Sequence, residues 1–182
     1  MKNIVQTMTE IRDAFRAVPA DRSQDKLLIG VVGEIFCRHN NFSNNNIFRL
    51  IERQGGVVWV SDIAEWVMYT NDEEVWRLDR YGKNFSMEMF GSKLKQAVMH
   101  SDEHKIVNIF KEDFTGFEEP HHVREILDMA SPYLPREGSR GEMVMSMGKT
   151  LWYQKKGAAG VIDISPFTCM NGIITEAVYP RV

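Results

Sequence analysis

The chain has 182 residues and a net charge of −3, with 43% hydrophobic and 26% charged residues. This length fits one domain, or one domain with a large insertion, and the composition is ordinary for a globular protein. The acidic balance and the absence of a long basic run argue against nucleic-acid binding. No apolar stretch approaches the roughly 20 residues of a membrane span. We therefore expect neither nucleic acid nor membrane as a partner.

The cysteine content and the N-terminal sequence indicate the compartment. Polar residues, including Lys2, Glu10 and Arg12, interrupt any apolar core of a signal peptide. Cys37 and Cys169 are the only cysteines, which suggests reduced thiols in the cytoplasm rather than a disulfide framework. Two thiols are also too few to complete a four-thiolate zinc or iron–sulfur site within this chain.

The N-terminal segment has the periodicity of an amphipathic helix. This pattern predicts a helix from about Lys2 to Val18, followed by a polar linker over residues 19–25. We assign residues 1–24 to this helix and linker, and residues 25–182 to a truncated α/β lobe. The apolar residues recur at steps of four and three: Ile4, Met8, Ile11, Phe15 and Val18.

Three short apolar runs predict strands at Leu27–Val32, Val57–Val60 and Val161–Ile164. The first run is apolar on both faces, which is typical of a central parallel strand covered by helices. The first third of the chain reads strand, loop, helix, strand, the unit of a parallel sheet. We therefore predict an open parallel sheet of adjacent strands with flanking helices, of flavodoxin- or Rossmann-like type. So small a sheet suggests that the natural protein continues past Val182.

The segment between the second and third strands has a helical pattern, and we predict a long helical insertion over residues 61–135. Capping chemistry predicts three helix starts along the chain. Ser43 and Asn71 are candidate N-caps, and Ser139 with Glu142 fits a capping box.

The carboxyl ends of parallel strands meet at one edge of a sheet, where ligands bind, especially at a reversal of strand order. We therefore predict a crevice formed by the loops after the first and third strands. The alternative is that Glu34 and Arg38 pair with each other while the asparagines only cap and turn the chain. The candidate catalytic residues are Glu34, Arg38 and His39, and the candidate crevice residues are Asn40, Ser43, Asn44, Ser165 and Thr168.

Cys169 follows an apolar strand that stops at Pro166, and a helical pattern begins just after it. A thiol at a helix N-terminus meets unpaired backbone N–H groups and the positive end of the helix dipole. Both favour the thiolate, the form that binds metals. The alternative is a buried structural cysteine. We interpret Cys37 as a small packing residue, with pairing to Cys169 the less favoured alternative.

Two stretches resemble motifs of a known family. Val31–Asn45 resembles the segment VGEIYxRxNPFSNN, and Gly157–Met170 resembles KGAxGxxxxxPFTCMPG. Gly141–Lys149 also resembles the helix GEAxLSxGK of the same family. The family is that of the 2-hydroxyglutaryl-CoA dehydratase-like proteins, in the branch related to acyl-CoA dehydratase activases. The chain departs from it at Asn171, where proline is usual, and at Ile173, where threonine is common.

The resemblance implies a protein of two similar α/β lobes that hold an iron–sulfur cluster, of the 4Fe-4S type, between them. Cys169 corresponds to a cluster ligand, and the remaining ligands would come from a preceding lobe. The parent would accept electrons from an ATP-dependent activase and act on an acyl-CoA or another small substrate. It would be a 2-hydroxyacyl-CoA dehydratase, a lyase of anaerobic metabolism, or a related reductase. The fragment alone is expected to be inactive.

Two other functions remain open at the level of sequence. The lobe could be a non-catalytic interaction module that docks an activase or a partner lobe, with Cys169 incidental. It could also be a flavodoxin-like cofactor-binding domain. Further cysteines in a preceding lobe would favour the cluster protein.

Overall fold

The structure is a computed structural model that describes residues 2–20 and 26–182. Two compact units divide the chain. The first comprises Met1–Gln24 and Val67–Glu119, and the second comprises Asp25–Trp66 and Pro120–Val182. Residues 21–25 of the predicted linker lie outside the described residues, and the predicted boundary at residue 24 stays a prediction.

The second unit contains a sheet of three parallel strands in the order β2-β1-β3. These are β1 (Leu27–Gly33), β2 (Gly56–Val60) and β3 (Gly160–Ile164). β1 pairs with β2 from Leu27 opposite Gly56, and with β3 up to Gly33 opposite Ile164. The prediction of three adjacent parallel strands is confirmed. β1 is central because its side chains can be buried on both faces, and Val31 and Val32 are fully buried.

Helices make up most of the remaining chain, as the α/β class requires. Between β2 and β3 the described residues form helices and turns, which confirms the predicted helical insertion. The helices are α1 (Lys2–Arg16), α2 (Ile35–His39), α3 (Ile47–Arg53), α4 (Ile63–Arg80), α5 (Met87–Val107), α6 (Val123–Ala130), α7 (Glu142–Lys155) and α8 (Met170–Val178), with short 3-10 helices at Asn108–Phe110 and Tyr179–Arg181.

The core of the second unit, here called the sheet unit, is built around α7. This helix packs against β1, β3 and α6, while α3 packs against β2. Met147 and Tyr153 on α7 are fully buried. The Tyr153 ring lies against Trp59 of β2 with a centroid distance of 5.0 Å. Burial of such large side chains is the main favourable contribution to the stability of this unit.

In the first unit, here called the helical unit, α1 contacts α5 and the 3-10 helix at Asn108–Phe110. Arg16, the last residue of α1, forms ion pairs with Asp113 at 2.8 Å and Glu112 at 3.2 Å. The predicted N-terminal helix is confirmed. It ends two residues before Val18, whose N–H instead donates to Phe15 O in a tighter turn.

The three predicted helix starts are wrong: Asn71 and Glu142 have other hydrogen-bond partners, and the backbone conformation at Asn46 displaces the start predicted at Ser43. Asn71 lies inside α4, is 1% exposed, and donates to Ser92 O on α5 at 3.3 Å. α3 begins at Ile47, after Asn46 in the left-handed conformation, rather than at Ser43. α7 begins at Glu142 after Gly141, and the Glu142 carboxylate accepts from Ile35 N–H rather than closing a box with Ser139.

At Gly148, α7 lies directly against α6. A Cβ at this position would overlap the backbone oxygen and the side chain of Ile126. Ile126 is itself fully buried, so it cannot move outward to make room. Glycine at position 148 therefore sets the separation of the two helices.

We expect Gly148→Ala to lower the free energy of unfolding by about 1–3 kcal/mol, the usual cost of overpacking a filled core. Urea denaturation followed by circular dichroism measures the change. Gly138→Ala is the matched control, because no atom lies within 4 Å of its added Cβ. Equal midpoints for the two variants would contradict the packing argument.

Candidate functional site

The carboxyl ends of β1 and β3 form the edge on which the candidate residues lie. β2 and β3 flank β1 on opposite sides, so strand order reverses between β1 and β3. Such a switch point is where open α/β sheets bind ligands. Directly after the strands, Glu34 N–H donates to Ile164 O at 2.8 Å, which holds the two following loops together.

Gly33 ends β1 in a conformation that favours glycine, with φ of +108°. A Cβ here would overlap Ile164 O and lie 2.6 Å from Asp163 Oδ1. Gly33 N–H donates to Ser146 Oγ on α7 at 3.2 Å. The edge between β1 and β3 can therefore close only over a residue without a side chain.

Cys169 is the N-cap of α8, directly after the turn that follows β3. Its N–H donates to Pro166 O at 3.0 Å, and its carbonyl accepts from Ile173 N–H at 3.0 Å. The thiol makes no capping hydrogen bond and is partly exposed. Thr168, the preceding residue, is exposed and has φ of +67°. The predicted position of Cys169 at a helix start is confirmed.

Glu34, Ser165 and Cys169 line a common crevice, here called the switch-point crevice. Glu34 and Cys169 thus lie together at this edge as predicted, while the binding of a ligand there stays a prediction. The side chains fill it, leaving no void the size of a water molecule. Further lining residues that sequence reasoning did not place there are Glu142, Ser146, Asp163, Asn171 and Thr175.

Glu34 caps α2, accepting from Cys37 N–H at 2.7 Å. Burial alone would raise the pKa of this carboxyl, but the backbone N–H groups of Cys37 and Phe36 outweigh it, and the net pKa is lowered. Glu34 is therefore a carboxylate at neutral pH. Burial, and then the neighbouring Glu34, raise the pKa of the Cys37 thiol, which stays protonated.

Arg38 points into the protein rather than into the switch-point crevice. It is 6% exposed and donates to Gly33 O at 2.7 Å and to Asp62 O at 3.3 Å. Burial lowers the pKa of its guanidinium. Among the described residues, Arg38 forms no salt bridge with Glu34, and Arg38 Nε has no hydrogen-bond partner. Both side chains bond to backbone groups instead.

The remaining residues of the first loop shape the chain. Asn40 Oδ1 accepts from the N–H groups of Phe42 and Ser43 at 3.1 and 3.0 Å, and the buried Asn44 donates to Arg38 O at 3.0 Å. These contacts fit the alternative in which the asparagines turn the chain. His39 is exposed overall. Partial desolvation of its ring by nearby protein atoms, and then the positive charge of Arg38, lower the pKa of its imidazole. Catalytic or substrate roles for the loop stay predictions.

Sequence reasoning missed a buried ion pair behind this edge. Lys149 is 0% exposed and pairs with Glu65, whose carboxylate also accepts from the Ser61 hydroxyl at 2.7 Å. The sequence did contain a signal for this pair, because Lys149 lies among the buried positions of α7. An unpaired buried ammonium is strongly disfavoured, so a lysine there predicts an acidic partner.

Sequence reasoning also missed a network around Asp163, the one acidic residue in an otherwise apolar strand. Asp163 Oδ2 accepts from the Tyr179 hydroxyl at 2.6 Å and from Thr175 at 2.9 Å. Burial, and then Asp163, raise the pKa of Tyr179. On the Tyr179 side, a cavity of about 420 Å³ runs along β3, with Thr150 and Val161 among its lining residues.

Large apolar side chains are exposed on the segments that carry the crevice residues. They lie on α2 and the turns after it, on the turn before Cys169, and on the first turns of α8. Exposed apolar side chains grouped in this way mark binding surfaces more often than isolated ones do. They are Phe36 (63% exposed), Phe42 (93%), Phe167 (97%), Met170 (67%) and Ile173 (54%).

In the described part of the chain, no three His, Cys, Asp or Glu side chains converge on a point that could hold a metal ion. None of the helices within residues 2–20 and 26–182 has the length and apolarity to cross a membrane. The chain matches no family model, curated protein or solved structure. The geometry of the site therefore carries the functional argument.

We expect Glu34→Gln to destabilise the protein at pH 7 by about 0.5–2 kcal/mol through weakened capping of α2. The folded-state pKa of Glu34 is lowered, so its contribution is complete above the unfolded pKa and disappears as pH falls through the folded pKa. The unfolding free energies of variant and wild type should therefore converge in acid. Urea titrations across pH test this, with the exposed Glu176→Gln as control; a pH-independent difference would contradict it.

Proposed function

We propose that the chain is one lobe of an iron–sulfur dehydratase- or reductase-like protein, in which Cys169 supplies one ligand of a 4Fe-4S cluster. The observation that carries this proposal is the position of Cys169, at the N-cap of α8 and at the switch point between β1 and β3. Thiolates are the usual protein ligands of such clusters.

The N-terminus of α8 favours a negatively charged group beside Cys169, although the acidic side chains of Glu34, Glu142 and Asp163 line the same crevice. α8 has nine residues, and its first turn presents unpaired backbone N–H groups and the positive end of the helix dipole. Hydrogen bonds to cluster sulfurs are one of the means by which a protein sets a cluster's potential. The thiol of Cys169 is partly exposed and makes no capping hydrogen bond, so it can reach a ligand at the rim.

One thiolate cannot hold a cluster, so the proposal requires other cysteines outside this chain. Cys37 is poorly suited as a second ligand because burial and Glu34 raise its pKa, and metal ligation requires the thiolate. The exposed side chains of Phe42, Phe167 and Met170 offer an apolar surface for a preceding lobe carrying the other ligands. The assembled cytoplasmic protein would take electrons from an ATP-dependent activase and act on an acyl-CoA or another small substrate.

The second candidate is a non-catalytic interaction module that docks an activase or a partner lobe. The contacts of the first loop favour it, because Glu34, Arg38 and Asn44 are all engaged in hydrogen bonds that hold the edge together. In this function the exposed apolar side chains around the crevice, such as Phe42 and Phe167, bind the partner, and Cys169 binds no metal.

Iron content distinguishes the two functions. In the full-length parent, purified without oxygen, we expect Cys169→Ser to lower bound iron and the charge-transfer absorbance of the cluster. Cys37→Ser is the matched control and should change neither. Circular dichroism confirms that both variants are folded.

Unchanged iron and absorbance in Cys169→Ser would overturn the ligand assignment. If the wild-type parent holds no iron after anaerobic reconstitution, and Phe167→Asp weakens its binding to the activase, the interaction module is the better account.

A further inference from the structure

α5, which belongs to the helical unit, carries an apolar stripe that faces solvent. Met87, Phe90, Leu94 and Val98 are 83%, 65%, 55% and 52% exposed. Their spacing of three, four and four residues places them on one face of this 21-residue helix. Met89 and Ser92 form the buried positions of the opposite face. The solvent-facing side of a surface helix is usually polar, but on α5 it is apolar. Exposed apolar faces of this kind mark interaction sites.

Two opposite charges flank the stripe on one side. Glu88 and Lys95 are seven residues apart, or about two helical turns, and so lie along the same flank. Both are exposed. Glu88 pairs with Lys83 within the chain at 3.1 Å, but its side chain remains 63% exposed and has room for a second cation.

The stripe and its flank are self-complementary about one point. Phe90 and Leu94 lie symmetrically about position 92 of the helix, and Met87 and Val98 do so to within half a residue. An antiparallel second copy of α5 centred there would place Phe90 against Leu94 and Met87 against Val98. A twofold axis generates each contact twice, as in an isologous interface.

The same arrangement satisfies the charges. The midpoint of Glu88 and Lys95 also falls within half a residue of position 92, so each Glu88 faces Lys95 of the second copy. Gly91 lies on the exposed side with no atom within 4 Å of where a Cβ would be, which lets the two helices approach closely.

We propose that the exposed face of α5 is a docking surface for a second copy of this chain, which binds antiparallel about position 92. The apolar pairs Phe90–Leu94 and Met87–Val98 form its centre, and two Glu88–Lys95 ion pairs fix its register. Electrostatic complementarity of this kind selects partner and orientation.

Charge reversal tests the partner and the register together. Glu88→Lys makes both flanking positions basic, and Lys95→Glu makes both acidic. In sedimentation equilibrium, each variant alone should dimerise at least about tenfold more weakly than wild type, because like charges then face each other. An equimolar mixture of the two variants should recover wild-type affinity as a heterodimer. Leu94→Ala should also weaken dimerisation, and mixing it with either charge-reversal variant should not restore wild-type affinity.

Lys93→Glu is the matched control: it reverses a charge on the same helix away from the Glu88 and Lys95 flank, and should leave the dimer intact. Circular dichroism establishes that α5 stays folded in every variant. A wild-type chain that remains monomeric at the highest attainable concentration would overturn the proposal. So would self-association that is insensitive to both reversals, or a mixture of the two variants that does not associate.

Discussion

The candidate site depends on the way β1 and β3 close at their carboxyl ends. The ladder between them continues one residue past the strands, through the bond from Glu34 N–H to Ile164 O. This closure is possible because Gly33 has no side chain where Ile164 O and Asp163 approach it. Without it, the loop that carries Glu34 and the turn that carries Cys169 would diverge, and no common crevice would exist.

Much of the polar chemistry at this edge is engaged in building it. The carboxylates of Glu34 and Glu142 accept from the N–H groups of Cys37 and Ile35, so the short helix α2 is held at its start by acids from two different elements. Arg38 is likewise bonded to backbone carbonyls. The thiol of Cys169 makes no capping hydrogen bond. It is therefore the group at this edge on which the proposed chemistry depends.

Sequence reasoning succeeded where the determining signals are local. A strand that is buried on both faces is a continuous apolar run, so the three strands can be predicted from the sequence. Proline has no backbone N–H to continue a strand, so Pro166 predicts the break before the helix that starts at Cys169. It failed where a side chain has a distant partner. Glu142 was predicted to cap its own helix but bonds to Ile35, and Lys149 pairs with Glu65, 84 residues away. Such pairings follow from the packing of α7 on the sheet, which periodicity does not specify.

The burial of Lys149 makes this lysine an internal reporter of opening. Its ammonium is 0% exposed and paired with Glu65, so an amine-acylating reagent can reach it only when α7 separates from its neighbours. Exposed lysines such as Lys93 and Lys105 are open to the reagent in the folded state. The slow fraction of labelling therefore measures how often the sheet unit opens. Lys93 and Lys105 therefore give the intrinsic labelling rate of an open lysine, and mass spectrometry of the peptide that contains Lys149 gives the opening of the sheet unit relative to that rate.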